Sequence, residues 1–459
     1  MAAFAFQLSA DHLPPDVREH VKLLVLDVAG LCLAARDEDF AWAVVDVAKE
    51  MGGAPESRPL GLDVALPASS AALVGGTLTH GHDFDDSHVG STIHTTSSVV
   101  PTALAVAELQ RSRGSEVLVT IAAGLEVNAR IGLGAGDGFH RRGFHPTGVC
   151  GALAASQVAG RLLGLDSARM AQAMGISGSM ASGLREAYLG GETWTKRLHP
   201  GWAAHAGITA ARLARHDFSG PVRVLEGRFG LYNAMLGPGN WEAQRVVAGL
   251  GEEWEIRHIG FKPYPCGVVI HPYLDALKAL MREHHLAAMD LAGVHCRVAP
   301  GALETVCEPM QEKLRPTSGY QAKFSLQFCL AALAVRGDID LDTFQPQAAS
   351  DPSILDLAAR VTYEADSNLP YPRAHAAVVI ATTRDGQQYT RAETANRGSL
   401  ENPMSADDVR QKFRANAARA LESARIDTLE EAIMRLEDLP EARTIVDCAA
   451  PIPPVRRTR

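Results

Sequence analysis

Residues 79 to 94 read Thr-His-Gly-His-Asp-Phe-Asp-Asp-Ser-His-Val-Gly-Ser-Thr-Ile-His, so His80, His82, His88 and His94 share one short stretch with Asp83, Asp85 and Asp86. The run continues the apolar, small-residue pattern that begins at Ala71. It predicts a helix over 71–89, because spacings of three and four bring His80, Asp83, Phe84 and Ser87 to one side. Gly90 and the small polar residues after it predict the end of that helix. His94 is then expected on a loop, before Ser97 or Ser98 caps a helix opening at Pro101. Clustered ionisable groups repel, titrate and compete for partners, so this density points to a site.

Outward from this stretch the same helical spacing of Ala, Leu and Val dominates. It predicts helices over 17–35, 40–51, 101–114, 117–134, 148–163, 167–182 and 203–215. Many carry Gly and Ala throughout, which suits helices packed closely and buried on most sides, as in an all-α bundle. After Ile256 the character changes. Alternating β-branched and polar residues over 294–299 and 374–394 predict strands, the second pair turning at Arg384-Asp385-Gly386. Helical segments 271–285 and 324–335 interleave with them. After Glu401-Asn-Pro403 the pattern is helical again, with Ser405 and Asp408 spaced as an N-terminal capping pair and a further helix over 428–436. The expected fold is mainly α with α+β: an all-helical domain, 1–258 completed by 403–459, with a smaller α+β lid domain, 259–402, inserted in it.

Composition narrows the function classes. A chain of 459 residues suits a two-domain, enzyme-sized protein. A formal charge of -9 and a pI near 6.0 argue against a nucleic-acid binder, since no basic stripe is available to displace counterions. The short basic run Arg456, Arg457 and Arg459 follows Pro451-Ile-Pro-Pro454 and reads as a solvated tail. Seven cysteines at irregular spacing contain no C-x-x-C pair, which predicts reduced thiols and a cytoplasmic home. The N-terminus lacks a basic, then apolar leader, and no apolar run of bilayer length is evident, so no membrane partner is expected.

Three further stretches carry chemistry. Gly143-Phe-His145-Pro-Thr147-Gly148 sets an imidazole before a proline at the mouth of a small-residue helix, either as part of an anion site or as a packed capping loop. Thr193-Trp-Thr-Lys196-Arg-Leu-His199-Pro-Gly201 reads as a Gly/Pro-bounded loop whose lysine either turns inward to a carboxylate or stays solvated. Phe261-Lys262-Pro-Tyr-Pro265 holds Lys262 in a stiff, extended segment where the composition changes. A metal could in principle use His80, His82 and Asp83, or His82, Asp86 and His88. Adjacent helical residues diverge, however, which favours acid–base chemistry over metal. An interface or capping patch is the structural alternative.

Taken together, these segments resemble the MmgE/PrpD family of 2-methylcitrate dehydratases, cis-aconitate decarboxylases and iminodisuccinate epimerase. The resemblance rests on His82-Asp-Phe-Asp-Asp-Ser-His88 with His94, Gly143-Phe-His-Pro-Thr147, Thr195-Lys-Arg-Leu-His-Pro-Gly201, Leu225-Glu-Gly227, Lys262-Pro-Tyr-Pro-Cys266 with His271, and Ala322-Lys-Phe-Ser-Leu-Gln327. It implies a homodimer with no metal or organic cofactor, acting on a small polycarboxylate in a site between its two domains. Its pocket positions fall on Asp83, Ser87, His94, His145, Lys196 and Lys262. The implied activity is a lyase, foremost a 2-methylcitrate dehydratase-like hydro-lyase, with epimerase or decarboxylase chemistry, or silent carboxylate binding, as alternatives. Gly267 and Phe328 stand where the decarboxylase branch has histidine and tyrosine, and Thr95-Thr96 replaces the usual Pro-Ser after His94. His94 and His145 are the expected acid–base pair, Asp83 orients an imidazole, Ser87 bonds the substrate, and Lys196 and Lys262 clamp carboxylates. Loss of the Lys196 side chain is expected to abolish turnover and leave the melting curve nearly unchanged.

Overall fold

In a computed structural model that describes residues 1–188, 193–371 and 374–451, the chain is mainly helical with a smaller α+β part. The basic run at 456–459 lies outside the described residues. One compact unit comprises Met1–Ala187, Trp194–Phe261 and the segment from Ser405 onward; the other holds Lys262–Met404.

The first unit is built on Pro15–Ala35, Ala68–His80, Thr96–Gln110, Gly114–Ala135, Pro146–Leu162 and Thr195–Arg215. Their small residues let backbones approach closely. A Cβ on Gly76 would stand 2.6 Å from the Cα of Gly201, and one on Gly201 would stand 2.2 Å from the carbonyl oxygen of Leu73. Only glycine fits on either side of that crossing. Gly114–Ala135 is long and apolar enough to cross a bilayer, a length the sequence pattern did not suggest, yet 94% of its apolar window is buried inside the protein. It also carries the buried ion pair Glu126–Arg130, whose guanidinium donates to the carbonyls of Ala248 and Glu253.

The C-terminal segment packs on the N-terminal helices. Ser405 caps Ala406–Ala417 in a reciprocal box with Asp408. Phe413 from this helix is fully buried, which is worth about 1.5–3 kcal/mol. Lys412 pairs with Asp27 at 2.8 Å and also donates to the carbonyl oxygen of Phe84 at 2.8 Å. Burial pushes the Asp27 carboxyl up to about 6, against the pull of Lys412.

The second unit contains a four-stranded sheet in the order Val361–Ala365, Leu291–Val298, Ala377–Thr383, Gln388–Glu393. The last two form the antiparallel hairpin, with Gly386 at φ 89° in its turn. Val361–Ala365 runs parallel to Leu291–Val298 and was not evident in the sequence. Its alternate residues Thr362 and Glu364 are exposed and dilute the apolar signal. Helices His271–Glu283 and Leu326–Arg336 supply the apolar cover of this unit. All seven cysteines are free, and six of them are buried.

Candidate active site

The helix expected over 71–89 ends at His80, and the ionisable residues after it lie on a turn rather than on a helical face. Asp83 sits at φ 54°, a left-handed conformation that an aspartate tolerates better than most residues. The turn is held by its own carboxylates. Asp86 accepts from the backbone N–H and hydroxyl of Thr95, both at 2.7 Å, and from the N–H of Thr96 at 3.0 Å and its hydroxyl. It therefore caps the helix Thr96–Gln110 from outside. That helix opens five residues before Pro101, with neither Ser97 nor Ser98 as its cap. Burial and the neighbouring Asp85 carboxylate raise the Asp86 carboxyl above its usual range.

The second cation-bearing stretch also differs from expectation. Thr195–Arg215 is one helix that includes Pro200, so Lys196 and His199 stand in its first turns instead of on a loop. Pro200 is the sixth residue of this helix, past the first turn, and has no N–H to give the Lys196 carbonyl. Gly201 then lies against Leu73 and Thr77. Lys196 is buried and donates to Asp83 Oδ1 at 2.6 Å, with the two side chains 4% and 2% exposed. The solvated-loop alternative is thereby excluded, and the burial of the pair predicts that removing Lys196 costs stability.

Three imidazoles gather beside this pair. The ring centroids of His80 and His94 are 4.8 Å apart, those of His80 and His145 5.5 Å, and those of His94 and His145 6.2 Å. His94 Nδ1 lies 2.6 Å from the carbonyl oxygen of Asp86. A carbonyl only accepts, so the proton is on Nδ1 and the neutral ring keeps its lone pair on Nε2. His80 Nδ1 is 2.8 Å from Asp85 Oδ2, with both side chains fully buried. The same carboxylate has its other oxygen 3.6 Å from His94 Nδ1.

His145 is the N-cap residue of Pro146–Leu162, and its Nδ1 meets Nδ1 of His199 at 2.9 Å. Burial holds the His145 ring well below the usual imidazole range, aided by the ammonium of Lys196 and the imidazoles of His80, His199 and His94. Burial and Lys196 lower His199 to about 4. Both rings are neutral near pH 7, so one Nδ1 carries a proton and the other accepts it.

Ser87 lies on the same turn, paired antiparallel to Gly260, and its buried hydroxyl makes no hydrogen bond to the described residues. Lys262 is buried and begins the second unit. The structure thus gathers Asp83, His94, His145 and Lys196, with Ser87 on the adjoining strand. Sequence reasoning gave Asp85 no role of its own, and it placed His80 on one face with Asp83 and among possible metal ligands. His199 was visible in its motif, but nothing in the spacing tied it to His145.

Both metal-ligand sets drawn from the sequence fail, because His82 turns away toward Glu38 at 3.7 Å and packs its ring against Phe40. Among the described residues, three other groups bring possible ligand atoms within 4.8 Å: His80, His94 and His145; His80, Asp83 and Asp85; and His88, Glu255 and His258. In the second, Asp83 already serves Lys196. In the third, Glu255 accepts from His88 at 3.1 Å and lies 3.3 Å from His258.

The buried aspartate–lysine pair and the imidazoles beside it all come from the first 244 residues. Residues 1–244 match the MmgE/PrpD N-terminal domain, and 264–438 match the MmgE/PrpD C-terminal domain. The chain belongs to the MmgE/PrpD family. It is 29% identical over 463 residues to the cis-aconitate decarboxylase of Homo sapiens, covering 97% of this chain and 93% of that protein. It is 27% identical over 479 residues to the cis-aconitate decarboxylase of Aspergillus terreus, covering 98% and 96%. The cis-aconitate decarboxylase-like protein oryM of Aspergillus oryzae is 26% identical over 451 residues, covering 94% and 92%.

Proposed function

We propose that this MmgE/PrpD chain is a lyase that acts on a small di- or tricarboxylate by proton transfer at a carbon next to a carboxylate. The observation that carries this reading is the buried Lys196–Asp83 pair standing beside His94 and the neutral His145. Removing such a proton builds negative charge on the adjoining carboxylate, and a fixed ammonium in a water-poor site stabilises that charge best. Asp83 keeps Lys196 charged and aimed. An ammonium has three donors, so it can serve Asp83 and a substrate carboxylate together. His94, with its lone pair on Nε2, and His145 are the acid–base pair.

Within this class the finer proposal is elimination of water, as in a 2-methylcitrate dehydratase. Ser87 Oγ makes no hydrogen bond to the described residues and suits a departing hydroxyl. Phe328, where the decarboxylase branch has tyrosine, is fully buried in an apolar core and offers no proton. Decarboxylation is the second reading, favoured by the likeness to the cis-aconitate decarboxylases. The deciding assay incubates the protein with 2-methylcitrate, citrate, cis-aconitate and iminodisuccinate, following unsaturated acid and released carbon dioxide separately. Carbon dioxide from cis-aconitate overturns the dehydratase proposal, and no turnover of any acid overturns the lyase one.

A further inference from the structure

The six positions carried by the family resemblance leave out the most deeply sealed ionisable pair of the site. Asp85 and His80 are both fully buried, and neither belongs to the acid–base pair or the carboxylate clamp. Burying a carboxylate costs several kcal/mol unless it is well paired, so a chain that retains one here gains something from it. Asp85 spans two rings, with one oxygen 2.8 Å from His80 Nδ1 and the other 3.6 Å from His94 Nδ1.

We infer that Asp85, working with His80, is the positioning carboxylate of this centre: it fixes the proton on Nδ1 of His80 and sets its charge beside Nδ1 of His94, supporting the tautomer whose Nε2 exchanges protons with substrate. A carboxylate oxygen accepts, so His80 Nδ1 at 2.8 Å is its donor and Nε2 of that ring carries the lone pair. The carbonyl oxygen of Asp86 enforces the same tautomer on His94 from a second direction. The negative charge of Asp85 also stabilises the imidazolium that forms when His94 takes up a proton. The facing charges are Asp85 and Asp86 on the turn, His80 at the end of its helix, His145 ahead of Pro146, and the Lys196–Asp83 pair. Asp85 presents a carboxylate oxygen toward each of the two rings. His80 keeps that carboxylate from turning away.

This inference rests on the proton-transfer reading of the site, and its test needs a readout that does not depend on turnover. Asp85→Asn preserves shape and removes the charge, and His80→Gln removes the ring that holds it. Diethyl pyrocarbonate acylates neutral imidazole nitrogens, and peptide mapping reports the rate at His94 alone. At a pH where the ring is fully neutral, that rate should fall by about threefold or more in Asp85→Asn, because the ring loses a charge 3.6 Å away and with it nucleophilicity. With substrate, kcat should fall by about 10- to 100-fold with KM nearly unchanged, the loss expected of a charge-assisted bond. The acid limb of the pH–rate profile should move to lower pH. Asp85→Glu should recover part of kcat, and His80→Gln should fall between wild type and Asp85→Asn. An unchanged His94 acylation rate in folded Asp85→Asn overturns the inference, whether or not any substrate is found. A fall in kcat that only follows loss of folded protein, with the pH profile unmoved, overturns it as well.

Discussion

Replacing Lys196 by methionine tests the centre of the site through stability before any substrate is known. The side chain keeps its length and apolar stem but loses the ammonium that sits 2.6 Å from Asp83 Oδ1. Asp83, 2% exposed in its side chain, must then stay ionised without a counter-charge or take up a proton. Breaking a buried pair in this way costs about 3–5 kcal/mol. Protonating an ordinary carboxyl at pH 7 costs about 4 kcal/mol, which gives the same answer by another route. At roughly 2 °C per kcal/mol for a chain of this size, the melting temperature should fall by about 8 °C. Asp83→Asn combined with Lys196→Met removes both charges. Asparagine accepts the left-handed backbone at 83. The double variant should regain most of the loss, while both variants stay inactive. A Lys196→Met protein that melts within about 2 °C of wild type contradicts a sealed pair. A double variant as unstable as the single one contradicts the charge explanation, and turnover in either contradicts the assigned role.

The remaining predictions concern the same scaffold. Gly201→Ala should cost more than about 3 kcal/mol in urea unfolding, because its Cβ would meet the Leu73 carbonyl oxygen at 2.2 Å; a near-neutral result would show that the crossing can open. His94→Gln should remove turnover with less than about 1 kcal/mol change in stability, since the ring is partly exposed; wild-type kcat/KM in that variant rejects His94 as an acid–base group. Acid should loosen the fold early. His199 and His375, both lowered to about 4 mainly by burial, and His145, lowered by burial and Lys196, contribute stability that is present above about pH 6.5 and lost as pH falls toward their folded values. His199 and His375 each forfeit about 2 kcal/mol between pH 7 and 5, while Asp27, raised to about 6, gains about 1 over the same range. Unfolding midpoints equal at pH 7 and pH 5 would contradict buried, neutral imidazoles.

Much of the helical body was legible because small apolar residues recur at helical spacing, and the break in composition after Ile256 marked the sheet-bearing segment. The misplaced boundaries have physical causes. Periodicity carried the helix through His80 to Val89, but it cannot register that Asp83 adopts a left-handed backbone or that Asp86 spends its lone pairs on Thr95 and Thr96. Pro200-Gly201 read as a loop because both residues disfavour a helix locally, and no local pattern shows that Gly201 presses on the Leu73 backbone. Of the site, residue types and motifs were visible in the sequence. The Asp83–Lys196 bond and the His145–His199 contact, 113 and 54 positions apart in the chain, are tertiary facts that no spacing encodes.

The ammonium of Lys412, bonded to the carbonyl oxygen of Phe84, has a temporal consequence. Translation proceeds from the N-terminus at about 5–20 residues per second, so the turn that carries Asp83 and Asp85 leaves the ribosome roughly 20–60 s before the lysine that fastens it. The nascent polypeptide must keep its four-imidazole stretch out of trouble through that interval. Ribosome-stalled chains ending before position 412 should accordingly be unable to process any acid that the finished protein consumes.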